Sequence, residues 1–277
     1  MVSIFCDSTC DLSAELVQRF SIKIIPLSVF IGGNNYLDGI EINSSRLFQL
    51  VEDKKELPKT GAPSVESYRK AFDGVDELVY IGISSKLSAS YQSSLIALEK
   101  SDPQKKIAID SLNLSSGIGL LALKASDMSR EGKTAYEISE IIRQDLSKVH
   151  TSFVIDKLDY LHKGGRCSAV EHLAASLLKI RPVIEVKPDG TLGVREKLGG
   201  SRKKALLSML EELSSHGGTL DSQRVFVTHC ACPEDAEFLA EELRRLAIFE
   251  EILITEAGSV IASHCGPKTI GILYMTK

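Results

Sequence analysis

The absences in this chain narrow its chemistry first. Its 277 residues hold neither a Gly-x-Gly-x-x-Gly fingerprint nor a Walker loop, so ATP and dinucleotides are not bound by those means. No Gly-x-Ser-x-Gly elbow occurs, which argues against a hydrolase of that type. Positive charge is not in excess. Lys and Arg number 33 against 37 Asp and Glu, a net charge of −4, which leaves no general basic footprint for nucleic acid. The short cluster Arg202-Lys203-Lys204 reads as a solvated helix face. The longest apolar stretch, Ile22 to Ile31, contains Lys23 and Pro26 and falls short of a membrane span. Met1 to Cys6 is too short for a signal peptide and is followed by Asp7 and Asp11, so a cytoplasmic protein is expected. The 6 cysteines then read as thiols rather than disulfides. His229-Cys230-Ala231-Cys232 and His264-Cys265 lack the Cys-x-x-Cys spacing of a zinc knuckle, and no metal is expected.

What is present is an alternation of strand and helix signals through residues 1–150. Strands are expected at Val2–Phe5, Ile22–Ile31, Leu78–Ile83 and Lys106–Ile109. Helices are expected after Asp11 or Ser13, around Ser44–Val51 and Ser64–Phe72, and over Ser88–Glu99, Ser115–Met128 and Thr134–Val149. This rhythm predicts a parallel sheet with flanking helices. After His150 the pattern changes. Pro188-Asp189-Gly190 between apolar runs predicts a hairpin. Further strands are expected at Ser152–Ile155, Arg224–Thr228, Ile252–Thr255 and Ile270–Tyr274. Helices are expected over Leu158–His162, Ala169–Leu178, Glu234–Arg245 and Gly258–His264. The fold class read from this is α/β with two domains: an N-terminal parallel-sheet domain over 1–150 and a mixed α/β sheet domain over 151–277.

The stretch Ile83 to Ser93 carries the strongest chemical signal. A buried strand empties into a helix start, where unpaired amides and the positive end of the helix dipole converge. Ser84, Ser85, Ser88 and Ser90 add hydroxyls, giving a cradle for an anionic headgroup without a fixed charge. One such serine would be an ordinary helix cap; four in seven residues point to a ligand. Asp7, followed by Ser8-Thr9, is expected to tie the first loop together through side-chain to backbone bonds. The segment Leu112 to Gly117 follows the fourth strand and is expected to help line a cleft at the carboxyl ends of the strands.

Five separated segments together match one pattern. They are Asp7-Ser8-Thr9, Lys59-Thr60-Gly61-Ala62-Pro63-Ser64, Ile83 to Ser93, Gly164-Gly165-Arg166 and Ser263-His264-Cys265-Gly266-Pro267. In this order they resemble the DegV family of bacterial fatty-acid-binding proteins, over essentially the whole chain. The resemblance implies a lipid tunnel between the two domains. It also implies a bound long-chain fatty acid as ligand, no cofactor, and no catalysis by the chain itself. A separate ATP-dependent acyl kinase would be the partner, forming an acyl phosphate on the presented acid. By motif position, Thr60 and Ser88 would hold the carboxylate with the amide near Ala89, His264 would sit close to the head, and Arg166 would face the kinase. The family loop commonly reads Thr-Ser-Gln-Pro-Ser, so Gly61 and Ala62 depart from it, and Ala89-Ser90 stands where Gly-Thr is common.

The chemistry is self-consistent. Burying roughly fifteen methylenes at about 0.8 kcal/mol each gives around 12 kcal/mol gross, while an unpaired buried carboxylate is costly. Hydroxyl donors offset that cost and leave an oxygen free to attack a phosphoryl group. Phe30, Phe153, Leu161 and Leu177 are candidates for the tunnel wall. Two other readings remain: an enzyme acting on a sugar phosphate or similar small anion, and a lipid store or sensor without a kinase. The wall of the cleft discriminates the first, since a lipid needs an apolar tunnel and a sugar a short polar pocket.

Overall fold

The computed structural model describes residues 1–156, 159–166 and 180–277. The expected helix Ala169–Leu178, with Leu177, lies outside the described residues, as does Leu158.

Strands β1 (Ser3–Asp7), β2 (Lys23–Ile25), β6 (Leu78–Gly82) and β7 (Lys106–Asp110) form an all-parallel sheet in the order β2-β1-β6-β7. Leu78, Val79, Tyr80 and Ile81 in the central strand are wholly buried, as the unbroken apolar run requires of a strand covered on both faces. Between β2 and β6 the chain builds a small antiparallel sheet from β3 (Ser28–Ile31), β4 (Asn34–Leu37) and β5 (Lys59–Gly61), in the order β4-β3-β5. The single strand expected over Ile22–Ile31 is therefore two strands in two sheets. The break falls at Pro26, which has no N–H for a ladder bond.

The third sheet is six-stranded and mixed, in the order β10-β9-β8-β13-β11-β12. Its strands are β8 (Val149–Val154), β9 (Ile180–Val186), β10 (Leu192–Gly199), β11 (Leu220–His229), β12 (Glu251–Glu256) and β13 (Ile270–Thr276). Only β11 and β12 run parallel; the other pairs are antiparallel. The β9–β10 hairpin turns at Pro188-Asp189-Gly190, where Gly190 adopts φ +82°, a left-handed conformation that suits glycine.

Ten α-helices occur among the described residues. The first seven are α1 (Ala14–Arg19), α2 (Ser44–Lys54), α3 (Val65–Phe72), α4 (Ser90–Leu98), α5 (Ser116–Arg130), α6 (Ala135–Asp145) and α7 (Asp159–Gly164). They are followed by α8 (Arg202–Ser215), α9 (Pro233–Leu246) and α10 (Ser259–Cys265). Helix α5 is buried nearly all round and touches β1 and β6 of the parallel sheet and β8, β11 and β13 of the mixed one. A helix apolar on every side needs such a position. It carries Gly117 where Asn113 Oδ1 and Thr151 Oγ1 leave no room for a methyl group. One apolar core runs through both sheets, from Ile4, Val79 and Ile109 to Phe153, Ile184 and Leu273.

Two differences from the sequence reading concern polar segments. Helix α8, capped by Ser201 Oγ, bears the expected helix face at Lys203 and Lys204, which are exposed, but not at Arg202. Arg202 is 18% exposed, pairs with Asp235 at 2.7 Å and donates to the Lys268 carbonyl. Helix α4 starts at Ser90 rather than Ser88 because Ala89 is its N-cap.

Candidate functional site

The site begins where β1 and β6 end together. Asp7 Oδ2 accepts from Ile83 N and from the Tyr80 hydroxyl, both at 3.0 Å, while Oδ1 accepts from Thr9 N at 3.2 Å. One buried carboxylate thus joins the first loop to the loop after β6. Burial pushes its pKa up, and these hydrogen bonds oppose the shift. The loop then coils: Ser84 N donates to the Asn113 carbonyl, and Ser88 N to the Ser84 carbonyl. The four serines do not converge as expected. Ser84 Oγ donates to the Gly190 carbonyl at 2.8 Å, fixing the hairpin tip on the loop, and Ser85 faces solvent. Ser90 is buried with its hydroxyl 2.9 Å from Ser88 Oγ. Ser88 alone of the four lines the cavity, beside Ala89. Among the described residues, the Ala89 amide has no protein acceptor. It is an N-terminal donor of the kind that takes an anion.

Facing this loop are Thr60 on β5 and His264 on α10. Thr60 Oγ1 lies 2.8 Å from His264 Nε2 across 204 residues of sequence. Burial lowers the His264 pKa to about 4, with the Arg166 charge adding to the effect, so the ring is neutral at pH 7. His264 Nδ1 is buried with no partner among the described residues. A buried N–H is rarely left orphaned, whereas a bare lone pair is tolerated more often. This favours the tautomer with its proton on Nε2, donating to Thr60 Oγ1 and turning the Thr60 hydroxyl proton towards the cavity. Gly164 packs on the other nitrogen: a Cβ there would stand 2.5 Å from Nδ1.

Arg166 completes the rim. It is exposed, yet it folds back, with Nη1 donating to the Gly164 carbonyl at 2.6 Å and Nε reaching the Leu87 carbonyl at 3.4 Å. The cradle therefore does include a fixed charge at its mouth, which corrects the expectation of wholly neutral donors.

Thr60, Ser88, Ala89, Arg166 and His264 surround one cavity of about 170 Å³. Its remaining wall is mainly Leu27, Ile83, Leu87, Leu114, Leu161, Leu192, Val260 and Ile261. Leu114, Ile261 and Cys265 also line a narrower cavity of about 30 Å³ that reaches Phe153 and Leu273. Of the proposed wall residues, Leu161 and Phe153 line these spaces. Phe30 does not: it is 43% exposed, and its ring covers the Cα of Gly61, where any side chain would meet it at 3.0 Å. Glycine at 61 is thus matched to Phe30. A larger cavity of about 350 Å³, walled partly by Asp11, Asp38 and Glu256, touches none of the head residues. The Cys and His motifs form no metal-ligating group among the described residues; Cys6, Cys10, Cys230 and Cys232 are buried thiols outside any disulfide.

Residues 1–277 match the model of a family described as uncharacterised proteins of the DegV family. The chain belongs to the DegV family. A DegV domain-containing protein of Clostridium acetobutylicum is 30% identical, with 100% of this chain and 99% of the relative covered. A solved DegV family protein of Thermus thermophilus, described as binding fatty acid, superposes with a TM-score of 0.92 at 28% identity, covering 100% of this chain and 99% of that one. The B3 protein of Streptococcus pneumoniae fatty acid kinase, loaded with linoleic acid, shares the DegV fold at 24% identity and a TM-score of 0.87, with 100% of both chains covered.

Proposed function

We propose that this DegV protein binds a long-chain fatty acid, with its tail in the apolar cavities and its carboxylate at Thr60, Ser88 and the Ala89 amide. The observation that carries the reading is one cavity that joins hydrogen-bond donors at its mouth to an almost wholly aliphatic wall. A sugar phosphate would find donors for its phosphate there, but its hydroxyls would lie unpaired against leucines, at a cost of roughly 1–3 kcal/mol each. The two ends of the ligand divide the work. The tail supplies affinity, and the head contacts fix orientation. Thr60 and Ser88 come from the half spanning 1–150 and Arg166 and His264 from the half spanning 151–277, so the lipid lies between these two domains.

The chain acts as a carrier, and the phosphoryl transfer belongs to a partner kinase. Arg166 supports this: it is an exposed cation at the mouth, where an incoming γ-phosphoryl group would gather negative charge. His264, held neutral, orients Thr60 without adding a second charge. An ATP-dependent partner also fits the cytoplasmic placement expected from the sequence, and no helix among the described residues is long and apolar enough to cross a membrane. Native mass spectrometry of freshly purified protein tests the lipid reading. It should show one fatty acid per chain; no bound acid and no uptake of added palmitate or oleate would overturn it. Reconstitution with an acyl kinase and ATP separates a presenting subunit, which yields acyl phosphate, from a store or sensor, which does not.

A further inference from the structure

Away from the lipid cavity, His150, Glu212 and His216 form the one group of three potential metal ligands among the described residues, with their ligand atoms within 4.8 Å of one another. His150 is on β8; Glu212 and His216 sit one turn apart at the end of α8, where His216 is the C-cap. The two imidazoles lie side by side, ring centroids 4.4 Å apart. Neither has a strong hydrogen-bond partner among the described residues. His150 Nε2 is 3.4 Å from Thr276 Oγ1, and His216 Nε2 is 4.0 Å from Glu212 Oε1. Adjacent imidazoles facing a carboxylate without bonds of ordinary length form an unfinished polar cluster.

The surroundings hold it in shape. Tyr274 on β13, fully buried, stacks flat on His150 at 5.0 Å and meets His216 edge-on at 5.7 Å. Its buried hydroxyl faces Glu212. Arg195 and Ser152 engage Glu212 Oε2, which leaves Oε1 turned towards His216.

We propose that His150, Glu212 and His216 form a zinc-class metal site that pins the end of α8 to the mixed sheet. Two imidazole nitrogens and one carboxylate oxygen suit Zn²⁺ or a similar borderline divalent ion, with water in the fourth position, and do not suit Ca²⁺ or Mg²⁺, which prefer all-oxygen shells. Tetrahedral zinc places its ligand atoms about 3.4 Å apart, a contraction that side-chain rotation at a helix end supplies. The site uses none of the residues assigned to the lipid, so it stands or falls independently of the fatty-acid reading.

The test is titration of metal-stripped full-length protein with ZnCl₂ by calorimetry, with thermal melting in parallel and MgCl₂ as a comparison. The expected result is one Zn²⁺ per chain at micromolar or tighter Kd, a melting point raised by several degrees, and no effect of Mg²⁺. His150→Ala and His216→Ala should each weaken Zn²⁺ binding at least tenfold. The partly exposed His216 makes the second variant the safer one for folding. Absence of stoichiometric binding, or binding unchanged in His216→Ala, overturns the proposal; unchanged binding would place the ion elsewhere, for instance at Cys230 and Cys232.

Discussion

Replacing Gly164 by alanine tests the head geometry at a residue that touches no ligand in the proposed arrangement. The new Cβ would stand 2.5 Å from His264 Nδ1, with Cε1 at 3.4 Å and Cγ at 3.5 Å. Ordinary packing needs about 3.5 Å, so the imidazole must retreat by about 1 Å. Nε2 is 2.8 Å from Thr60 Oγ1 on the far side of the ring, so the ring cannot back straight away from the new methyl without colliding with Thr60; it must turn aside, which ends the hydrogen bond. The loss of the bond costs about 1 kcal/mol and the overpacking about 1–3 kcal/mol. Alanine's helix preference returns roughly 0.5–1 kcal/mol at the end of α7. The expected net effect is a destabilisation of about 1–3 kcal/mol in urea unfolding and an oleate affinity lowered roughly fivefold. A double-mutant cycle with His264→Ala isolates the cause. If the clash acts through the imidazole, Gly164→Ala costs little in the His264→Ala background. An equal cost in both backgrounds, or wild-type oleate affinity in Gly164→Ala, refutes the chain of contacts from Gly164 through His264 to Thr60.

Thr60→Val removes the hydroxyl and keeps the shape; oleate affinity measured by calorimetry should fall roughly fivefold, while Thr60→Ser stays near wild type. Ser88→Ala should reduce kinase-dependent acyl phosphate formation far more than it reduces tail-driven binding, and equal losses in both assays would remove Ser88 from an orienting role. His264 predicts a pH dependence of stability. Its folded pKa of about 4 lies below the ordinary value of 6.5, so the unfolded chain takes up the proton first as pH falls. The contribution of the neutral ring is complete above about pH 6.5 and is lost as pH drops towards 4. From pH 7 to 5 the loss is on the order of 2 kcal/mol. Urea unfolding at the two pH values should show a loss larger by about that amount in wild type than in His264→Gln, since His150 and His229, also lowered by burial, contribute to both.

The sequence made the strand-to-helix loops legible because their signals are local. An apolar run ending in hydroxyls marks Leu78 to Ser90, and Asp-Gly marks the β9–β10 turn. The head residues themselves could be gathered from the family pattern alone, since Thr60 and His264 meet across 204 positions and no local rule couples them. The direction of each serine was not legible. Ser84 turns to Gly190 because the hairpin tip docks there, a tertiary contact 106 residues away. Arg166 was expected to reach outward, and its grip on the Leu87 and Gly164 carbonyls depends on how α7 meets the loop after β6. The strands β4 and β5 are four and three residues long and too polar to stand out from turns. The His150, Glu212 and His216 cluster was hidden for a similar reason: β8 and α8 are adjacent in space but far apart in sequence.

A series of saturated carboxylic acids of increasing length, titrated into delipidated protein, tests most directly whether the tail supplies affinity while the head contacts orient. With each methylene buried at about 0.8 kcal/mol, Kd should fall about fourfold per added carbon until the cavity is filled. Removing the Thr60 hydroxyl should shift every member of the series by a similar factor. A Kd independent of chain length, or tighter binding of a sugar phosphate than of any acid in the series, would contradict the lipid reading.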